Sequence, residues 1–192
     1  MNSAVSTQPM QRIFFALWPS SETADEIMAW SRDAHALCGG RMMRVDTLHM
    51  TLAFLGNTPA EKVEELVRAV PAWTIPVGPL VLRRFDRFVR PRVVWAGPLH
   101  NDQQAIAWLD EAYDTLWTHL EEMGWQRPES VFRPHVSLLR QAGLADLAGL
   151  YRQPLAWTPE HCLLVASRPG EGDSYYQILA KLPLRHCLDN AS

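Results

Sequence analysis

Thr47-Leu-His-Met-Thr-Leu-Ala-Phe-Leu55 decides the fold, together with its shorter echo His135-Val-Ser-Leu-Leu139. In the first, β-branched and apolar residues run up to the turn signal Gly56-Asn57, the mark of a strand. Side chains alternate along a strand, so His49 and Thr51 share one face while Met50 and Leu52 share the other. The second segment, led in by Pro134, sets His135 and Ser137 against Val136 and Leu138 in the same way. Each strand therefore buries its apolar residues and presents an imidazole beside a hydroxyl. A purely structural strand would carry a mixed polar face with no such pairing.

Working outward, the same order of elements surrounds both segments. Arg12-Ile-Phe-Phe-Ala-Leu-Trp18 reads as a buried strand that stops at Pro19. Ser20 or Ser21 then caps a helix to about Leu37, closed by Gly39-Gly40. After the first histidine strand, Asn57 to Val70 carries a helical stripe of Val63, Leu66, Val67 and Val70, and Thr58-Pro59 suits its start. Strands are expected at Ile75 to Phe85 and Arg92 to Ala96, with a turn near Arg90-Pro91. Asn101 to Met123 is a long amphipathic helix, followed by the second histidine strand. A weak helix at Ala145 to Tyr151 and strands at Cys162 to Ala166 and Tyr175 to Leu182 complete the chain. The two histidines stand nearly half the chain apart, which predicts an α+β fold of two pseudo-twofold-related lobes. Each lobe is a mostly antiparallel sheet with helices outside, and the site is expected in the groove between them. The predicted organisation is a flexible N-terminus (1–11), a single two-lobed domain (12–185) and a C-terminal tail (186–192).

With 192 residues, 47% of them hydrophobic, the chain has material for one sizeable core. A net charge of −3 excludes a surface built as a whole to grip long nucleic acid, so any such contact is local. Cys38, Cys162 and Cys187 are too dispersed for a zinc site or a disulfide framework. No Gly-rich phosphate loop, His-Glu-x-x-His or acidic metal cluster is present. Neither metal nor cofactor is expected. Met1 to Gln11 lacks the pattern of a secretory leader, and no apolar run approaches the roughly 18 residues of a membrane span. A cytoplasmic monomer is the expectation.

Two imidazoles suit phosphodiester cleavage, because an ordinary pKa near 6.5 lets one be neutral and the other protonated near pH 7. One removes a proton from attacking water and the other donates to the leaving alkoxide, without a metal. Thr51 and Ser137 then donate hydrogen bonds to the non-bridging phosphate oxygens. A lone histidine on a strand is ordinarily structural; two copies at matching positions in matching half-chains are hard to attribute to chance.

His49-Met-Thr-Leu52 and His135-Val-Ser-Leu138 resemble the paired His-x-Thr/Ser-x signature of the 2H phosphoesterases. The likeness extends from the opening strand Arg12 to Pro19 through both motif blocks. Arg87-Phe-Val-Arg-Pro-Arg-Val-Val-Trp95 is similar to a connecting hairpin of the RNA 2′,3′-cyclic phosphodiesterase branch, formerly called 2′-5′ RNA ligases. The resemblance implies metal-independent hydrolysis of a terminal 2′,3′-cyclic phosphate to a 2′-phosphomonoester, with RNA or a nucleotide bearing that end as partner. It assigns His49 as proton donor and His135 as the base, a polarity that the residues alone leave open. Reversible 2′-5′ joining, another small cyclic or 2′-5′-linked nucleotide, or non-catalytic binding of RNA ends are the alternatives. Two departures stand out: Ser137 lacks the methyl of the commoner Thr, and Leu139 replaces a usually small residue.

Arg140 lies on the wrong face of a regular strand and needs a bend or bulge to reach the phosphate. The resemblance makes it a substrate contact, and Arg133 has the same standing. Arg83 to Arg92 packs five arginines and two phenylalanines into ten residues. It reads as a solvated hairpin with its phenylalanines toward the core, binding of single-stranded RNA being the alternative. His35, His100, His119, His161 and His186 lack partners at catalytic spacing, and the eight tryptophans read as core and lobe-interface residues.

Overall fold

Alternation along the first strand, β1 (Met10–Trp18), sorts the molecule into two sides. Ile13, Phe15 and Leu17 enter the main core, whereas Phe14 and Ala16 join Leu163 and Val165 in a small cluster on the opposite face. The computed structural model describes residues 9–99, 106–169 and 174–187. His100 and the expected first turn of the helix at Asn101 lie outside the described residues.

After β1, the Ser20 hydroxyl accepts the Thr23 N–H at 3.2 Å and starts α1 (Ser21–Cys38). Ala24, Ile27, Trp30 and Ala34 form its buried stripe, and Gly39, at φ 59°, closes it with an N–H bond to the His35 carbonyl. Then come β2 (Arg41–Met42), a 3₁₀ turn (Val45–Thr47), β3 (Met50–Pro59) and α2 (Ala60–Ala69). Four short strands follow: β4 (Ile75–Val77), β5 (Leu80–Leu82), β6 (Arg84–Phe88) and β7 (Val93–Gly97). The chain continues through α3 (Ala107–Glu122), β8 (Val136–Arg140), β9 (Leu155–Trp157), β10 (His161–Pro169), β11 (Ser174–Leu182) and β12 (Leu184–His186).

One sheet dominates, in the order β11-β10-β1-β3-β8-β7-β6 with β2 also on β8, and its pairings are antiparallel. The expected lobes are the two halves of this sheet, β11-β10-β1-β3 and β8-β7-β6, joined at the single residue pair Met50↔Val136. α1 packs on β8, and α2 and α3 pack on β3. The three described helices bury their apolar stripes in the main core, so none of them covers the opposite face of the sheet. β4 with β12 and β5 with β9 form two small sheets. None of the described helices is long and apolar enough to cross a membrane.

Three local expectations are corrected. Asn57 is not the start of a helix: β3 runs on to Pro59 because Met10, Gln11 and Arg12 pair with Pro59, Thr58 and Asn57. Gly56, at φ 70°, lies beside a register shift inside the strand rather than at a turn that ends it. β1 accordingly starts at Met10, ahead of Arg12. Ala145 to Tyr151 is not helical, since the Arg87 guanidinium takes the Gly143 and Ala145 carbonyls and the Asp146 carboxylate takes the Ala148 N–H at 2.9 Å. The single strand expected over Ile75 to Phe85 is divided among β4, β5 and β6.

Candidate active site

His49 and His135 each stand one residue before a central strand, on either side of the Met50↔Val136 pair. Extending that antiparallel register sets His49 across from Ser137 and Thr51 across from His135. Met50, Leu52, Val136 and Leu138 are buried in the helix-side core, as alternation requires. Both histidines and both hydroxyl residues are half-buried at the seam between the half-sheets.

The two rings are held identically. His49 Nδ1 lies 2.7 Å from the Thr47 carbonyl oxygen, and His135 Nδ1 lies 2.7 Å from that of Arg133. A carbonyl only accepts, so each Nδ1 carries the hydrogen and each neutral ring leaves the lone pair on Nε2. For His49 the carbonyl is fixed by the 3₁₀ turn, where the Thr47 hydroxyl donates to the Arg44 carbonyl at 2.9 Å. Met43 N–H bonds the Leu138 carbonyl at 2.9 Å, so the second motif's strand supports the first motif's clamp. For His135, Pro134 favours an extended Arg133, which turns that carbonyl toward the ring.

The walls differ. The His49 ring stacks on Trp18 and Phe14, each at 5.0 Å between centroids, with Tyr176 edge-on at 5.6 Å. His135 meets Phe88 edge-on at 4.9 Å and Trp95 at 5.7 Å. Burial among these rings pushes the His49 pKa down to about 4, against the Thr47 carbonyl, which raises it; the charges of Arg140 and His135 lower it further. Burial lowers His135 as well, opposed by the Arg133 carbonyl. Both imidazoles are therefore neutral at pH 7 in the open cleft.

Arg140 reaches this face through a bulge. β7 pairs Trp95 with Ser137 but Val94 with Leu139, so β8 accommodates one extra residue. Alternation reverses beyond it: Leu138 and Leu139 both enter the main core, and Arg140 turns to the side of His135 and Ser137. The bulge also gives Leu139 its place in the packing. The Arg140 charge acts on both His49 and Tyr176. Arg133 is different, because its side chain is exposed and its contact with the site is the backbone carbonyl.

Sequence reasoning passed over the aromatic walls. Phe14 and Trp18 share a parity on β1 that turns them to the open face, a signal available in the alternation. Tyr176 and Trp95 arrive by strand pairing, and neither sequence spacing nor residue type marks them. Arg41, paired with Arg140 across β2 and β8, was also missed. The arginine-rich hairpin divides by face: Phe85 packs on Trp30 at 4.8 Å in the core, while Phe88 walls His135. His35, His161 and His186 are exposed, and His119 stacks on Trp73 at 4.8 Å, away from the site.

Residues 17–95 match the LigT like Phosphoesterase family model. The RNA 2′,3′-cyclic phosphodiesterase of Escherichia coli (strain K12) is 33% identical over 135 residues, covering 70% of this chain and 74% of that protein. The chain belongs to the LigT-like phosphoesterase family. An RNA 2′,3′-cyclic phosphodiesterase of Thermus thermophilus is 24% identical over 191 residues, covering 91% of this chain and 90% of its own. Among solved structures, E. coli LigT complexed with 3′-AMP superposes with a TM-score of 0.72 at 27% identity, over 92% of this chain and 99% of that one. This LigT-like phosphoesterase thus shares the 2H fold over 92% of its chain.

Proposed function

We propose that this enzyme is a cyclic phosphodiesterase that hydrolyses RNA 2′,3′-cyclic phosphate ends to 2′-phosphomonoesters by metal-independent acid–base catalysis. The observation that carries the reading is the matched pair of Nδ1–carbonyl clamps, which leaves two Nε2 atoms available at one seam. In the reaction His135 Nε2 takes a proton from water as its oxygen bonds to phosphorus. The P–O3′ bond breaks, and His49 Nε2–H protonates the departing O3′, leaving the phosphate on O2′. Thr51 and Ser137 donate to the non-bridging oxygens and Arg140 balances their charge.

The polarity draws support from the walls. A protonated imidazole is favoured over the faces of Trp18 and Phe14, the arrangement that surrounds His49. In the empty cleft burial holds His49 neutral, so the proton enters with the anionic substrate. The enzyme is taken to work as a cytoplasmic monomer.

The test is turnover of an RNA oligomer ending in 2′,3′-cyclic phosphate, with chelator present. Wild type should release 2′-phosphate product, and His49→Ala and His135→Ala should each lose roughly a hundredfold or more. Sulfur in place of the bridging O3′ leaves without protonation, so it should restore His49→Ala and leave His135→Ala slow. Metal dependence, or full activity in both variants, refutes the mechanism; rescue of His135→Ala instead reverses the roles.

A further inference from the structure

A second concavity lies on the open face, at the far end of β1 from the histidines. It encloses about 710 Å³ and is lined by Gln11, Arg12, Asn57, Ser167 and Arg168 among others, with two arginines and no carboxylate. Arg12 pairs with Asn57 on β3 and with Ser167 on β10, which sets a guanidinium, an amide and a hydroxyl in one row. The Arg12 guanidinium lies over the Phe54 ring at 4.9 Å, and Phe54 is 50% exposed, so one edge of the ring is open to a stacking partner. By alternation Arg12 shares the face of Phe14 and Trp18, the two rings stacked on His49. Ala16, which pairs with Thr51, is four steps along β1 from Arg12; at about 3.4 Å per residue the gap is roughly 14 Å. Tyr176 spans that gap: it touches His49 and senses Arg12 as well as Arg41 and Arg140. A positive track therefore runs from the seam to the cavity.

Resting on the cyclic-phosphodiesterase reading of the histidine pair, we propose that the cavity lined by Arg12 and Asn57, with the Phe54 ring beside it against Arg12, is a second subsite, which binds the RNA strand upstream of its cyclic end. Arg12 holds a backbone phosphate through its planar fork of donors, and Phe54 offers an exposed ring on which a base stacks. Neither interaction needs sequence information. The arginine-rich hairpin at the other edge of the sheet is less suited to this work. Arg87 is committed to the Gly143 and Ala145 carbonyls, and Arg84 pairs with Asp86 at 3.3 Å and covers Trp95.

The experiment compares kcat/KM for a nucleoside 2′,3′-cyclic phosphate and for an oligoribonucleotide ending in the same nucleotide. Wild type should favour the oligomer by roughly tenfold, the scale of one stacked base. Arg12→Ala and Phe54→Ala should each lower oligomer kcat/KM several-fold and leave the mononucleotide rate unchanged. Binding of the oligomer to His135→Ala protein supplies an independent readout. There, adding Arg12→Ala should flatten the slope of log affinity against log salt by about 0.7, the value for one phosphate contact to a single strand. Equal wild-type efficiency on the two substrates, equal losses on both in Arg12→Ala, or an unchanged salt slope overturns the proposal. So does loss of the oligomer preference in Arg90→Ala with its retention in Arg12→Ala. Failure of wild type to turn over either substrate refutes the cyclic-phosphodiesterase reading itself, a result distinct from all of these.

Discussion

Replacing His49 with glutamine should make the protein less sensitive to acid. In the folded cleft the His49 pKa stands at about 4, whereas the unfolded chain restores the ordinary value near 6.5. Between those values the unfolded state binds a proton that the folded state refuses, so stability falls as pH falls. At 1.36 kcal/mol per pKa unit the gap limits the effect to about 3 kcal/mol, of which titration from pH 7 to pH 4.5 realises about 2 kcal/mol for a half-buried ring. His135 is lowered too and adds in the same direction. A glutamine side chain does not titrate, so His49→Gln should lose about 2 kcal/mol less than wild type over that interval. Urea unfolding at the two pH values measures the difference directly, provided the urea dependence is similar in both proteins. Equal acid losses in wild type and His49→Gln would refute the reasoning, since the ring would then be as free to protonate in the folded protein as in the unfolded chain.

Two further perturbations probe the seam. Thr51→Val and Ser137→Ala remove the hydroxyls and should each lower kcat on the order of a hundredfold, the usual effect of one lost donor to developing charge; undiminished kcat in both would assign them a structural role. Gly40→Ala acts from outside the site: its φ of 86° disfavours a side chain, and an added Cβ would stand 2.7 Å from the Arg140 carbonyl oxygen and 2.9 Å from the Ala142 Cα. It should cost roughly 1–3 kcal/mol of stability and lower turnover by displacing Arg140, checked by thermal unfolding and by assay of the folded fraction.

The pairing of chemistry to strands was legible because alternation is a strict rule. Once His49 and Thr51 are set against Met50 and Leu52, the open face and the core face follow. The helices were legible for the same reason, through the stripes of Ala24, Ile27 and Ala34 and of Leu109, Leu116 and Leu120. What alternation could not supply was its own interruptions. Leu138 to Arg140 breaks parity because two apolar residues in succession both enter the core, and only the pairing of Val94 with Leu139 reveals it. Gly56 resembled a terminator in sequence; partners on β1 carried the strand past it. The aromatic walls come from four strands distant in sequence, so no local pattern could assemble them.

The halves of the sheet meet as near-equals, each bringing an imidazole clamped by the carbonyl two residues before it. Such symmetry by itself gives no direction to proton transfer, since either ring is equally able to give or to take. The direction has to come from what differs, and the differences lie in the walls: stacked faces of Trp18 and Phe14 at one histidine, an edge-on Phe88 and a tilted Trp95 at the other. Arg140 adds to the asymmetry: β3 has a matching register shift after Thr51, but the residue standing at the place of Arg140 is Phe54, so the bulge in β8 alone brings a charge, which bears on His49. In the empty cleft that charge works against a proton on His49. In the proposed mechanism a bound phosphate would neutralise Arg140 and supply negative charge beside the ring, so that the cation over the aromatic faces would become the favoured state as the leaving oxygen takes its proton.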